Sequence, residues 1–494
     1  MSDYPHEETS FPINIRKPLN THPSQLSLHY GTVQSDYYSA LESYDGDSQS
    51  IRDHLESFMD SYSHTSALYV AENVNAPYED IYDLKTSSSL SRHTTIASVI
   101  SHQLPHKKPA RSTFVQSVFN SVNVLVGIGI LTLPFAFRCA GWVMGSLIFL
   151  FCALVTNYTA KLMAHCLDVL PHSSTYGDMG AAAFGDRGRT YVSVVFMTEL
   201  ITIGVAMVVL LGDAVASLFP QLDTLSIRIG SFFILTPMLF LPIRQLAYTS
   251  LMGIISCICL LWIVLYDGLS QSEKPGSLLD PMDTEVIPSD LTNVPLCIGL
   301  MMAGFSGHAV FPAIYRDMQD PKRYEQMVDL TYVITMGIYV TMAVAGYIMF
   351  GSDTMKEITQ NLALTPGYSV WINRFAVGLI VLTPIAKYGL MMNPVIMTWE
   401  VWATTRFSDR MSSFINGVGK IMLSLVVMVI ATLFPGFDRV MSLLGALFSF
   451  GISAIFPLVC YVRLFEVPMK QSVLIYLILT VSICMALIGT VWSL

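Results

Sequence analysis

Hydrophobic positions are thinly scattered over the first part of the chain and crowded over the rest, and the change comes abruptly after Lys107, Lys108 and Arg111. Up to residue 110, stretches such as SDYYSALESYDGDSQS and KTSSSLSRHTT hold no helical or strand period longer than a turn or two. Such a segment buries too little apolar surface to offset the entropy of ordering it. Residues 1–110 are therefore expected to form a disordered tail. Beyond it, mostly apolar runs of about 20 residues, the length that crosses about 30 Å of hydrocarbon, recur between polar breaks. They cover 114–137, 142–167, 190–218, 227–243, 248–265, 293–313, 330–350, 370–391, 417–434, 439–462 and 472–492, and part of 392–410 could lengthen the eighth. The pattern predicts an all-α polytopic membrane domain over 111–494 with about eleven transmembrane helices.

Two of these spans contain helix breakers where a bilayer favours an unbroken helix. The first holds NVLVGIGILTLPFAF, with Gly127, Gly129 and Pro134. The sixth holds MMAGFSGHAVFPAIYRDMQDP, with Gly304, Ser306, Gly307 and His308 ahead of Pro312. In lipid, backbone groups freed by a break cost several kcal/mol each unless protein or a water-filled cavity receives them. Close packing through small residues is the simpler account of either span alone. The spacing between them favours another account, because broken helices at corresponding positions mark a five-plus-five inverted repeat with a binding site near the midplane. There, a half-helix N-terminus offers N–H donors to a carboxylate, and opened carbonyls can receive an ammonium or a cation. That pair of groups suits an α-amino acid.

Composition agrees with a membrane protein: 53% of the 494 residues are hydrophobic and only 13% are charged. The acidic balance of the tail argues against nucleic acid, and its start lacks the layout of a secretory signal peptide. Its hydroxyls are candidate phosphorylation sites or simply solvated serines. Lys and Arg concentrate in alternate loops, at Arg187 and Arg189, Arg244, Arg316 with Lys322 and Arg323, Arg406 with Arg410 and Lys420, and Arg463 with Lys470. By the positive-inside rule this places the N-terminus in the cytosol and, after eleven crossings, the C-terminus on the far side. The eight cysteines sit mostly in or beside spans, which argues against a disulfide framework. No metal-ligand set, cofactor motif, P-loop or H-E-x-x-H pattern is found, so neither an enzyme nor an ATP-driven pump is expected.

The runs FNSVNVLVGIGILTLPFAFRCAGW and GFSGHAVFPAIYRDMQDPKRYEQ resemble the first-span and sixth-span signatures of the amino acid/auxin permease superfamily. Within it they most resemble the vacuolar amino acid transporters related to the vesicular inhibitory amino acid transporter. The resemblance runs over roughly 112–494. It implies an eleven-span fold with five-plus-five repeats, and movement of amino acids across the vacuolar or lysosomal membrane coupled to protons. By motif match it implies substrate contacts from the backbone at Gly127, Ile128, Gly129, Ile130 and Leu131, with Gly304, Phe305 and Ser306 as counterparts.

Ionisable residues inside spans are the remaining signal, since charge in a bilayer is costly and usually functional. Glu199 lies too deep in the third span to reach water and has to be protonated or paired, which makes it a proton-coupling candidate or a structural hydrogen-bond partner. His308, beside the sixth-span break, is a second candidate, as a proton relay or gate. Asp213 and Lys387 are expected to reach the interface, Lys387 by snorkelling. Tyr315, Arg316 and Asp317 are expected to form a gate or loop anchor. The expectation is a secondary transporter for amino acids, neutral ones by preference, with antiport and symport both open. The alternative is an amino acid sensor that signals through the tail with little net transport.

Overall fold

The computed structural model describes residues 111–169, 175–219, 221–241, 243–434 and 436–494. The expectation for residues 1–110 lies outside them. The chain enters helix α1 (Phe114–Leu125) through a capping box, in which the Thr113 hydroxyl accepts from the Gln116 amide and the Gln116 side chain accepts from the Thr113 amide. These two contacts satisfy donors that a helix start leaves free. After a break comes one 3₁₀ turn, Ile128–Thr132, and then α2 (Leu133–Asp168).

α2 is one element by its hydrogen bonds and two by its path. Gly141 has φ 66°, in the left-handed region that glycine reaches without a Cβ penalty. A straight helix would hold Phe137 and Phe149 about 18 Å apart. Their ring centroids are 6.2 Å apart, so the chain folds back at Gly141. The amides of Trp142 and Val143, which would begin the returning limb without partners, donate to Glu285 and Val286 carbonyls in the long loop. A Cβ at Gly141 would stand 3.0 Å from that loop's backbone.

The remaining elements are α3 (Tyr176–Phe184), α4 (Asp186–Leu218), α5 (Thr224–Leu235), α6 (Ile243–Ser270), α7 (Val294–Gly304), α8 (Phe311–Asp317), α9 (Tyr324–Phe350) and α10 (Ile358–Leu364). They continue as α11 (Val370–Arg406), α12 (Asp409–Leu433), α13 (Phe437–Leu443), a π-helix (Leu444–Ile455), α14 (Phe456–Leu464) and α15 (Met469–Ser493). Among the described residues, eight stretches are each long and apolar enough to cross a membrane. The fold at Gly141 makes two crossings of one of them. The shorter apolar helix Thr224–Phe240 adds another, and α7 with α8, divided by residues 305–310, adds the last. Eleven crossings result, interrupted at the first and the sixth. Because five is odd, the second set of five starts from the opposite face and is inverted relative to the first.

A short contact fixes which ends share a face. The Ser112 amide donates to the Asp317 carbonyl at 2.8 Å and the Gln319 amide to the Ser112 carbonyl at 3.0 Å. The start of the first crossing and the end of the sixth thus meet on one face, the tail face. The loop 271–290 and the short helix α10 lie on the other. Asp317, which also accepts from the Ser112 hydroxyl, is a loop anchor. Tyr315 donates to the Asp168 carboxylate and ties the sixth crossing to the second.

The eighth helix runs on to Arg406, through the 392–410 segment and past Pro384 and Pro394. Several polar residues in this extension are satisfied within the protein. The Thr398 and Thr404 hydroxyls return to carbonyls four residues back, and Glu400 pairs with Lys420 at 2.9 Å. In α12 and α15 only 17% of the most apolar stretch is buried, against 67% in α11 and in the tenth crossing. α12 and α15 therefore present their apolar sides to lipid, and the interrupted helices are wrapped by the rest.

Candidate functional site

The site is built where the two interruptions meet. α1 stops at Leu125; Val126 and Gly127 are extended, with Gly127 at φ −128°, ψ −152°. α7 stops at Gly304, and the chain re-enters a helix at Phe311 with Pro312 in the first turn, where a missing N–H costs nothing. The two breaks touch: a Cβ at Gly129 would lie 3.0 Å from the Gly304 Cα and 3.3 Å from its nitrogen. Glycine at 129 is required by this approach of two backbones.

Breaking a helix leaves carbonyls without partners, and the structure shows what receives them. The Tyr339 hydroxyl of α9, fully buried, lies 2.6 Å from the Leu125 carbonyl and 2.7 Å from the Gly304 carbonyl. One proton serves both helix ends and pins them together. Lys387 of α11 reaches the next carbonyl, its Nζ donating to Val126 at 3.3 Å. Its stem lies against Gly253 of α6, where a Cβ would stand 2.8 Å from the lysine Cε. Lys387 is 4% exposed and does not snorkel to the interface. Position along a helix set the expectation, whereas the groove made by Gly253 and the open carbonyl decide the outcome. Asp213 instead pairs with Arg228 at 3.2 Å, and Arg228 also donates to the Ala431 and Phe434 carbonyls.

A cavity of about 100 Å³ lies between the breaks, lined by α1, α4, the 306–310 segment, α11 and the π-helix. Of the sequence-derived contacts, Gly127, Ile128, Gly129 and Ser306 line it, as do Glu199 and His308. Ile130, Leu131, Gly304 and Phe305 are buried and do not. The Phe305 ring packs against Phe149, Tyr332 and Tyr339 at centroid distances of 5.3 to 6.1 Å. Glu199 projects from the middle of α4 and accepts from the Ser306 hydroxyl at 3.0 Å, so a carboxyl group touches the second break directly.

His308 is held on the cavity wall by Thr159 of the second crossing, which is itself tied to the tenth. Its Nε2 is 2.9 Å from the Thr159 hydroxyl oxygen, and that hydroxyl lies 2.6 Å from the Ser453 carbonyl and 2.9 Å from the Val155 carbonyl. With its single proton directed to a carbonyl, the Thr159 oxygen accepts from a protonated Nε2, which fixes the tautomer. Ser453 and Ile452 belong to the π-helix, whose wide turns leave carbonyls free to accept from side chains. Tyr176 donates to Ile452 in the same way. Tyr339 and the π-helix were not singled out by sequence reasoning, and Lys387 was singled out for the interface and not for the first break. Only Lys387 carried a signal, as a charge inside a span.

The arrangement can hold a small zwitterion: backbone groups at two helix breaks, a carboxyl at one and an ammonium at the other. Comparison with known proteins gives the family. A family model described as "Transmembrane amino acid transporter protein" matches residues 110–494. The chain is 32% identical to the amino acid transporter AVT1D of Arabidopsis thaliana over 434 residues, covering 84% of this chain and 74% of that one. It is also 32% identical to AVT1B of the same plant over 429 residues, covering 83% and 75%. A search of solved structures aligns it with MhsT in complex with L-phenylalanine at TM-score 0.45 and 9% identity, over 76% of this chain and 98% of that one. With interrupted first and sixth crossings around one cavity, and a family model that matches residues 110–494, the chain belongs to the family of transmembrane amino acid transporters.

Proposed function

We propose that the chain carries neutral amino acids across the vacuolar membrane in exchange or in company with protons, with the substrate seated between Gly127–Gly129 and Ser306. The observation that carries the reading is the pairing of Glu199 with Ser306, which puts a titratable group in contact with the substrate-facing break. A proton on Glu199 and a substrate at Ser306 compete for or share one hydrogen-bond network, which is what coupling requires. Lys387 supports a proton over sodium. Its ammonium already stands on the Val126 carbonyl, where a diffusible cation would otherwise be coordinated. The absence of an anionic group beyond Glu199 among the ionisable lining residues, with Lys387 and His308, favours substrates of no net charge. The vacuolar membrane, and a cytosolic N-terminus with a lumenal C-terminus, rest on the motif resemblance and on the distribution of Lys and Arg.

The test is uptake of a panel of labelled amino acids by proteoliposomes under an imposed pH gradient of either sign without sodium. Gradient-driven uptake of neutral amino acids is expected, its sign separating antiport from symport. In Glu199→Gln, which still accepts from Ser306, gradient-driven accumulation should be lost while exchange of labelled for unlabelled substrate persists. Uptake that needs sodium, or a Glu199→Gln protein that still concentrates substrate, would overturn the reading.

A further inference from the structure

Away from the cavity, toward the face opposite the tail, two carboxyl groups among the described residues are buried without a hydrogen bond, Asp267 at the end of α6 and Glu357. Glu357 opens the short helix α10, which spans the connection between α9 and α11. It is 1% exposed, and neither carboxyl oxygen has a hydrogen bond. α10 packs on α4, on α11 and on the 3₁₀ turn that follows the first break, so it lies over the first break on that face.

The charges around Glu357 are unbalanced. Asp213 comes from α4 and Asp438 from α13, both within Coulombic range. Each already has its cation: Asp213 has Arg228 of α5 at 3.2 Å, and Asp438 has Lys356 at 2.9 Å. α11 faces the lid with the neutral Asn373, whose amide donates to the Leu362 carbonyl, while Arg374 is exposed. Arg138 of α2 is committed to the Thr354 carbonyl at 2.8 Å. Three carboxyls therefore meet two cations, and the third is taken out of water. A vestibule of about 830 Å³ on the same face, lined by Arg138, Lys356, Thr354 and Gln360 among others, gives the lid access to solvent.

We propose that Glu357 is a proton-binding group of a lid. It takes up one proton from the compartment on that face when α10 seats, and returns it when α10 lifts and the carboxyl regains water. An ionised Glu357 under the seated lid would be an uncompensated buried charge. In agreement, burial, with Asp213 and Asp438 adding to it, pushes the carboxyl well above its usual range. The sign follows. The seated lid holds the proton more tightly than the lifted one, so acid favours seating. The advantage is complete below the ordinary glutamate value and is lost as pH rises through the raised one. The inference goes beyond the transport reading, since it needs no claim about what drives the substrate.

Hydrogen–deuterium exchange of the 354–364 amides, in full-length protein in lipid nanodiscs without substrate or gradient, tests it. Protection corrected for intrinsic exchange should rise on acidification, by up to about tenfold per pH unit for a single linked proton. Glu357→Gln, a neutral copy of the protonated side chain, should be protected at all pH values with no slope. Asp438→Asn, which frees Lys356 to pair with Glu357, should weaken the slope. A wild-type profile flat with pH, or the wild-type slope retained in Glu357→Gln, overturns the proposal. Should the Gln protein fail to fold, an unchanged slope in Asp438→Asn overturns it equally. Because neither uptake nor a proton gradient is measured, failure of proton-coupled transport would not register here.

Discussion

Two glycines separated by one residue do different things at the first break. A Cβ at Gly127 meets no atom closer than the Leu125 carbonyl oxygen at 3.8 Å, and its extended backbone suits any residue. Gly127→Val should therefore fold normally and fill the cavity, abolishing transport with an unchanged melting temperature. Gly129→Ala is the reverse case, because its methyl would press on the Gly304 backbone, which cannot turn aside as a side chain could. Overpacking of this kind costs about 1–3 kcal/mol, so the melting temperature in detergent should fall while the cavity lining is kept. Equal stability losses in the two variants would mean that Gly127 does not face open space. Both glycines were legible as helix breakers from sequence, because the cost of a break in lipid is local. Their difference was not, since it depends on what stands opposite each. The same distinction separates Glu199 from Lys387. A short acid in mid-span cannot reach water whichever way it points, whereas a lysine late in a span has two outcomes, and Gly253 on another helix chooses between them.

At the scale of elements, the interrupted helices are positioned by uninterrupted ones. α9 supplies Tyr339, and through it the ends of α1 and α7 share a single hydroxyl. Removing that hydroxyl leaves two buried carbonyls to compete for nothing, and an unsatisfied buried polar group costs about 1–3 kcal/mol. Tyr339→Phe should lower thermal stability by an amount in that range and raise the KM for substrate, because the breaks lose their common register. An unchanged KM alongside a lowered melting point would show that Tyr339 supports the fold without setting the site. The eleven crossings and the two interruptions were legible in sequence, since hydropathy and breakers are properties of one segment. The bridging tyrosine and the π-helix were not. A tyrosine in a span is common, and nothing in LGALFSFGISAI marks wider turns until Thr159 and Tyr176 are seen taking the carbonyls they release.

For the whole molecule, alternating access needs two arrangements of comparable free energy, and the ties on each face set their balance. On the tail face, Lys161 meets Asp329 at 2.6 Å and Tyr315 meets Asp168 at 2.7 Å. On the lid face, the Lys356–Asp438 and Arg228–Asp213 pairs do the same work. Asp168 is exposed, Tyr315 is partly buried and Lys356 is about half exposed. The Tyr315–Asp168 and Lys356–Asp438 ties, each with an exposed or half-exposed partner, are worth about 1 kcal/mol apiece, enough to shift a two-state ratio by about two- to fivefold. Ser306 lines the cavity, so Ser306→Cys reports its accessibility to an impermeant thiol reagent from either face. Added to that background, Tyr315→Phe should speed labelling from the tail face and slow it from the lid face by such a factor, and Lys356→Gln should do the opposite. The decisive protein is the double variant. If one equilibrium links the faces, the two shifts are opposed and the labelling rates return toward those of the parent. If each face opens independently, both rates rise together, and the molecule is a pair of gates rather than a single rocking body.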